Sequence, residues 1–149
     1  MIDIDRIMYL IDWKRSLAEQ QEGILLAREV VCINAFFQPI GPGYSKSVWE
    51  NCAVIICDRS DEELQPYITD MLLWIEDLNW PGAEKIQQRL IAFQDVSRLA
   101  SVLDSFVEAL EKLGKSSWLQ FVSDLLDNQK LSQKINNSTR EILTKYSTD

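Results

Sequence analysis

Paired carboxylates are the side chains of this sequence with the clearest capacity for chemistry. Glu62 lies next to Glu63, and Glu76 lies next to Asp77; two neighbouring carboxylates can act as general acid and general base. The sequence has no histidine, so the most frequent general base and metal ligand is missing. Both pairs fall at predicted solvent-facing helix ends, where acids near a helix start also complement its dipole. We therefore expect no enzyme activity, no catalytic, cofactor-binding or metal-binding residues, and no cofactor.

Three cysteines could carry redox or nucleophilic chemistry. Cys32, Cys52 and Cys57 form no CxxC pair, and each lies among apolar neighbours. An odd number of cysteines in such surroundings is typical of buried free thiols. We expect all three to be buried and free, with a redox or reactive role as the alternative.

The formal net charge of −8 is concentrated in one part of the sequence. Residues 1–49 sum to −1 and residues 85–149 to +1, whereas residues 50–84 sum to −8. This segment holds one base, Arg59, and nine acids: Glu50, Asp58, Asp61, Glu62, Glu63, Asp70, Glu76, Asp77 and Glu84. Such asymmetry favours a basic protein partner and disfavours nucleic acid. The alternative is an acidic surface that only keeps the protein in solution.

The elements that position these residues are predicted to be helices throughout. Apolar residues recur at helical spacing along almost the whole chain, and no segment alternates as a half-buried strand does. The longest apolar stripe predicts a helix over residues 96–113, which Gly114 ends. Leu131 to Tyr146 form a last helix. The fold class is therefore all-α.

Capping residues and helix breakers locate the other helices. Ser16 and Glu19 form a capping-box pattern that opens a helix reaching about Phe37. Its inward stripe is Leu17, Ile24, Ala27, Val31 and Ala35. A loop rich in proline and glycine follows over residues 39–43. Residues 60–64 form a tight turn before Pro66, which takes the first position of its helix.

Helix starts at Ser45, Pro81 and Ser117 are each separated by 36 residues. Each of these helices is followed by one antiparallel partner, which is typical of stacked helix pairs. The side chains do not repeat at this period. A short HEAT-like stack of antiparallel helix pairs and an irregular helical bundle therefore both stay open.

Tryptophans provide candidate anchors. Trp74 lies on a helical stripe and Trp118 follows a helix start, so we expect both in the core. Trp80 lies in the turn Leu78-Asn79-Trp80-Pro81. There it either staples two helices together or stands exposed as a docking anchor.

The bulk composition predicts one domain over residues 1–149. With 46% hydrophobic and 26% charged residues, the chain can bury a core of ordinary size. The first residues carry Asp3, Asp5 and Arg6 before any apolar run, so no secretory signal can be drawn there. We expect a cytoplasmic protein that does not bind membranes.

Several segments together resemble a bacterial family of helical domains of unknown function. The family's hallmark is an Asp, a Leu or Met, and then Asn-Trp-Pro. The resembling segments are Asp12-Trp13, residues 19–24, Phe37-Gln38-Pro39, residues 48–53, residues 60–64 and residues 73–83, within roughly residues 12–93. Residues 94–149 are predicted from periodicity alone.

The resemblance implies a HEAT-type fold and an immunity protein, encoded beside a toxin used in competition between bacteria. It supplies no catalytic residues. We therefore expect a protein that binds and neutralises a basic cognate toxin domain through its acidic helical surface, and a general helical-repeat scaffold is the alternative. An enzyme acting through carboxylates is a third hypothesis. The candidate partner-binding residues are the nine acids of residues 50–84 and Trp80.

Overall fold

The computed structural model describes residues 2–40 and 43–147, and over these ranges it contains helices and no strand. Its α-helices are α1 (Ile4–Ile11), α2 (Leu17–Ala27), α3 (Trp49–Cys57), α4 (Asp61–Leu64), α5 (Ile68–Trp74), α6 (Ala83–Ile91), α7 (Ser97–Lys112), α8 (Ser116–Ser123), α9 (Gln129–Lys134) and α10 (Asn137–Tyr146). The all-α prediction is confirmed. The HEAT-like stacking of pairs stays a prediction.

Short 3-10 helices connect several α-helices. They lie at Ile33–Phe36, Gln38–Ile40, Lys46–Val48, Gln65–Tyr67 and Asp124–Asp127. Gly41 and Pro42, in the middle of the predicted loop, lie outside the described residues. Ser45 begins the next element as predicted, because its hydroxyl accepts the N–H of Ser47 at 3.2 Å.

The periodicity of α7 locates this helix almost correctly. Its buried side chains lie three or four positions apart and are Leu99, Ala100, Leu103, Val107 and Leu110. Gly114 then takes a left-handed φ of 69°, which ends the helix. Leu113, the last residue of the predicted stripe, is 69% exposed. The apolar stripe therefore faces the core along α7 as far as its last turn.

The N-terminal helices α1 and α2 pack against each other, with Gly23 at their contact. A Cβ atom at Gly23 would lie 2.6 Å from Cγ2 of Ile11, so only glycine allows this approach. Ser16 and Glu19 form the predicted capping box at the start of α2. The buried residues of α2 are Gly23 and Ala27.

The predicted continuation of α2 to Phe37 is wrong. The helix ends at Ala27, where Nη2 of Arg59 donates to the carbonyls of Ala27 and Val30 at 2.8 and 2.9 Å. This guanidinium satisfies carbonyls at the helix end. Leu17 is 77% and Val31 93% exposed, so these members of the predicted stripe do not face the core.

Four other predicted boundaries are also corrected. The Leu131 to Tyr146 segment is two helices, because the Asn136 side chain caps α10 at the N–H of Thr139. Helix α6 begins at Ala83 rather than Pro81, and its N-cap is Gly82. No serine hydroxyl caps α8, whose N-cap is Lys115. Pro66 lies within the 3-10 helix that precedes α5.

A continuous hydrophobic core joins the N-terminal and C-terminal helices. Helix α3 packs against α2 and α6, α5 against α6 and α7, and α7 against α8 and α10. Asn51 of α3 donates to the Ile11 carbonyl at 2.7 Å and to Oε1 of Gln20 at 2.9 Å. Helix α3 therefore links the N-terminal pair to the rest of the molecule.

Gly82→Ala tests the junction before α6. Gly82 has a φ of 84°, and an added Cβ would lie 2.7 Å from Cβ of Ala53. Left-handed strain and overpacking together should lower the free energy of unfolding by about 3 kcal/mol. Urea denaturation measures this change.

Gly114→Ala is the matched control. Gly114 also has a positive φ, but a Cβ there would meet nothing within 4 Å. This variant should lose about 1 kcal/mol, from backbone strain alone. Equal losses in the two variants would contradict the close packing described for Gly82.

Candidate functional site

A groove of about 930 Å³ opens between α2, α3, α6 and the turn at residues 78–82, and we call it the Trp80 groove. Its half-buried apolar lining consists of Ile24, Val54, Leu78, Trp80 and Pro81. A concave site of this size with an apolar lining is typical of ligand and partner binding.

The turn from Asp77 to Gly82 positions the Trp80 ring at the edge of this groove. Oδ1 of Asp77 accepts the N–H of Asn79 at 2.8 Å, and the Asp77 carbonyl accepts the N–H of Trp80 at 3.1 Å. The Pro81 carbonyl accepts the indole N–H of the fully buried Trp74 at 3.1 Å. Local hydrogen bonds and a core side chain therefore hold the turn in one conformation.

The Trp80 indole has two contacts that bear on the staple and docking alternatives. It packs edge-on against Trp49, with ring centroids 5.8 Å apart, and such a pair is stabilising. The ring is only half-buried and also lines the groove. Trp80 thus packs across the α3–α6 junction while keeping part of its surface available to a partner.

Glu50 joins α3 to the start of α6. Its Oε1 accepts the N–H of Gly82 at 2.9 Å, and its Oε2 forms an ion pair with Nζ of Lys85 at 2.6 Å. The hydrogen bond and charge of Glu50 raise the pKa of Lys85 above its usual range. A carboxylate at a helix N-terminus is also favoured by the helix dipole. Glu50 therefore fixes the width of the groove at this end.

The bases that line the groove are all paired with acids. Arg28 of α2 lies 3.4 Å from Asp58, and Arg89 of α6 lies 2.7 Å from Asp61; Lys85 pairs with Glu50 as described. Glu84 also lines the groove, and it forms no ion pair with any residue that the structure describes. The lining itself therefore holds three acids and three bases, and it has a net negative charge only when Asp61, the ion partner of Arg89, is counted with it.

The structure brings only some of the predicted partner-binding residues into the groove. Those that line it are Glu50, Asp58, Trp80 and Glu84. The remaining predicted residues lie elsewhere and are Asp61, Glu62, Glu63, Asp70, Glu76 and Asp77. Among these, Glu62, Glu63 and Glu76 are exposed. Asp70 is half-buried on α5, and burial raises its pKa.

Glu63 serves the local fold. With Ser60 it forms a capping box at the start of α4, and Nη1 of Arg59 lies 3.1 Å from its Oε2. The Ser60 N–H and the Arg59 guanidinium lower the pKa of Glu63 below its usual range. This carboxylate is already engaged, so it has little capacity left for a partner.

Asp61 is a structural link between α4 and the end of α6. Its Oδ2 accepts the N–H groups of Gln94 and Asp95 at 2.8 and 3.1 Å, and its Oδ1 pairs with Arg89. Burial alone would raise the pKa of Asp61, but these three donors outweigh burial and lower it. Arg89 also donates to the Arg59 carbonyl at 2.9 Å. Asp61 therefore holds α4 against the end of α6 through the groove residue Arg89.

The cysteines are free thiols, but the expectation that all three are buried is wrong. Cys32 is exposed, Cys57 is half-buried and Cys52 is buried. The error at Cys32 follows from the early end of α2, which leaves this residue outside the helix. Burial raises the pKa of Cys57, which lines the groove, to about 11. Its thiol is therefore protonated near neutral pH and unsuited to nucleophilic attack.

Within residues 2–40 and 43–147 the possible metal-ligating side chains do not cluster, and the helices are short. No group of three or more Cys, Asp or Glu side chains in these ranges is placed to hold a metal ion. No helix in the described part of the chain is long and apolar enough to cross a bilayer.

Several groove residues were not identified from the sequence. The pairs Ile24 and Arg28 on α2, and Lys85 and Arg89 on α6, are each four residues apart and so share a helix face. This spacing is visible in the sequence. No local signal in the sequence indicates that these faces of α2 and α6 meet Val54 of α3.

Comparison with protein families gives one match. Residues 50–147 match the model of a domain of unknown function, DUF5071. The matched range includes α3 from its second residue, the Asp77–Gly82 turn and all later helices, whereas α1 and α2 lie outside it. It overlaps the segments of the resemblance over residues 50–93 and extends through the C-terminal helices. No curated protein and no solved structure matches the chain.

Asp61→Asn tests whether Asp61 is structural. Losing the carboxylate beside the mostly buried Arg89 should lower the free energy of unfolding by about 2 kcal/mol at neutral pH. Because folding lowers the pKa of Asp61, its contribution is present above the ordinary value of 3.8 and disappears as the pH falls through the folded-state value. Melting temperatures of both proteins across this pH range measure the effect.

The neighbouring exposed acid provides the control for this measurement. Glu62→Gln should leave the melting temperature nearly unchanged, because an exposed charge contributes little to stability. If Asp61→Asn is as stable as the wild type at neutral pH, Asp61 is not a structural link. A difference that persists in full at strongly acidic pH would also contradict the argument.

Proposed function

The chain belongs to the DUF5071 family, whose function is unknown, and we propose that it is an immunity protein. It binds and neutralises a basic cognate toxin domain in the cytoplasm of the producing cell. The observation that carries this proposal is the set of acids in residues 50–84 that no base compensates. These acids are Glu62, Asp70, Glu76, Asp77 and Glu84, none of which forms an ion pair within the described residues.

Their position supports a docking role. Glu84 lines the Trp80 groove, and Asp77 begins the turn that carries Trp80. Glu62 follows Asp61, which pairs with the groove residue Arg89. Unpaired acids therefore occur in the groove lining at Glu84 and next to it at Asp77. Such a field attracts a basic partner, increases its association rate and repels nucleic acid.

A toxin domain that acts on a polyanion complements the negative electrostatic potential of these acids. A nuclease, for example, presents a basic substrate groove, and an acidic protein that covers this groove blocks access to the substrate. The resemblance of residues 12–93 to a bacterial family of helical domains, which implies an immunity role, supports this choice of partner. In this mechanism the protein acts by binding alone and requires no catalytic group.

Co-expression with the neighbouring open reading frame tests the proposal. If that reading frame encodes the cognate toxin, its expression should stop growth, and co-expression of this chain should restore it. The two proteins should also co-purify. A neighbour that is non-toxic, or a toxin whose effect this chain does not relieve, would contradict the immunity role.

A general protein scaffold is the second candidate, and one observation favours it. The N-terminal helix pair exposes large apolar side chains at Tyr9, Trp13, Leu17, Leu25 and Leu26. These residues lie on α1, on α2 and on the segment between them, and we propose this helix pair as a second contact besides the groove. Co-purification of two different proteins without relief of toxicity would select the scaffold.

Neutralising unpaired acids tests the electrostatic part of the proposal. The triple variant Glu62→Gln, Glu76→Gln and Glu84→Gln should associate with the partner about tenfold more slowly at low salt. Its stability should hold, because these side chains are exposed and form no ion pair in the described part of the chain. Stopped-flow or surface plasmon resonance kinetics give the association rate.

A matched triple variant controls for total charge. Glu108→Gln, Asp127→Asn and Glu141→Gln remove three exposed acids of the C-terminal helices. This variant should associate at nearly the wild-type rate. Raising the salt to about 0.15 M should slow the wild type towards the first triple variant, because screening then limits exposed charges to about 8 Å. Equal effects of the two triple variants would contradict a localised acidic docking surface.

A further inference from the structure

We propose that the Trp80 groove binds a partner segment in which a large apolar side chain is flanked by lysine or arginine. This inference rests on the proposed protein-binding function and assigns it a site and a recognition pattern. It does not depend on whether the partner is a toxin.

The apolar part of this pattern follows from the lining. Val54 of α3, Leu78 and Trp80 of the turn and Ile24 of α2 expose apolar surface to the same cavity. Its volume of about 930 Å³ is in the upper part of the range for binding pockets. It can therefore accept a leucine, phenylalanine or tryptophan together with neighbouring main chain. Tryptophan is also one of the residue types enriched among binding hot spots.

The rigidity of the walls supports a preformed site. Glu50 holds the start of α6 through Gly82 and Lys85, and the Trp74 indole holds the Pro81 carbonyl. The far end is held by the Asp61 and Arg89 pair. The groove is therefore already ordered in the folded protein, and binding a partner segment loses no conformational entropy in ordering its walls. The affinity for a given contact area is higher for this reason.

The basic part of the pattern follows from which charges are already compensated. Arg28, Lys85 and Arg89 each pair with an acid, so the charges of these bases are partly compensated within the protein. Glu84 lies in the lining without an ion partner in the described residues, and Asp77 directly precedes the lining residue Leu78. Lysine or arginine on either side of an apolar anchor complements this arrangement.

A second copy of this chain is a poorer occupant of the groove. Its net charge of −8 would bring like charges together around Glu84. An acidic peptide is disfavoured for the same reason. A basic protein segment is therefore the occupant that satisfies both the apolar lining and the surrounding charge.

Three peptides of about ten residues test this pattern with the full chain. Each has a central Leu-Phe pair, flanked on both sides by two arginines, two glutamates or two serines. Amide chemical shifts of the 15N-labelled protein report the dissociation constant and the site. The arginine peptide should bind about tenfold more tightly than the glutamate peptide and should shift Val54, Cys57 and Gly82. Replacing Leu-Phe by Ser-Ser in the arginine peptide should abolish these shifts.

Charge reversal at one exposed groove acid distinguishes binding at the groove from attraction to the net negative charge of the whole protein. Glu84→Arg should weaken binding of the arginine peptide about tenfold, whereas Glu108→Arg, the same change on the exposed face of α7, should have a much smaller effect. Both side chains are exposed, so both variants should fold, and their amide spectra check this.

Several results would overturn the inference. These are equal affinity for the arginine and glutamate peptides, shifts confined to residues outside the groove, or equal effects of the two charge reversals. The proposed function fails separately. If the peptides bind as expected but growth is not rescued, the groove is a docking site in a protein that is not an immunity protein. If growth is rescued while no peptide binds, the toxin uses another surface and the groove inference is wrong.

Discussion

The close approach of α3 to the start of α6 is the constraint on which the rest of the structure depends. The indoles of Trp74 and Trp80 both contact Trp49 edge-on, with centroids 6.2 and 5.8 Å away. The chain approaches α3 and the Trp74 ring most tightly at Gly82. A Cβ there would lie 3.2 Å from the Trp74 ring and 2.7 Å from Cβ of Ala53, so only glycine fits. Because Gly82 also donates its N–H to Glu50, one residue satisfies steric and polar requirements together. The groove exists because α3 and α6 meet at this point.

The acids of residues 50–84 divide into two groups with different physical roles. Glu50, Asp61 and Glu63 accept backbone N–H groups and pair with bases, so their charges stabilise junctions between helices. Asp58 forms a more exposed pair with Arg28. The other acids have no ion partner among the described residues. The net charge of the segment therefore overstates the charge that a partner encounters, and the position of the unpaired acids is more informative than their total.

The sequence predicted the elements whose signals are local. Helix α7 has a long apolar stripe of its own and a glycine at its end, and the Ser16–Glu19 capping box lies within four residues. The end of α2 was missed because it depends on Arg59, whose guanidinium approaches from 32 residues away. The groove could not be predicted as a site for the same reason. Of the acids that charge counting selected as partner-binding candidates, Glu50, Asp58 and Glu84 line the groove. Asp61 is instead held by Arg89, Gln94 and Asp95, distant partners that the sequence does not show.

The two walls of the groove differ in how strongly the fold constrains them. Glu50, Trp80 and Gly82 each make a contact that holds α3 or α6 in place, so changing them also affects folding. On the opposite wall, Ile24 is half-buried and Arg28 is exposed, and α2 is anchored instead by Gly23, Ala27 and the carbonyls that Arg59 caps. The fully buried anchors of α2, Gly23 and Ala27, are thus different residues from Ile24 and Arg28, although Ile24 also packs partly against the core. Substitutions at Ile24 and Arg28 can therefore change the shape and charge of the groove while the α3–α6 junction keeps it open.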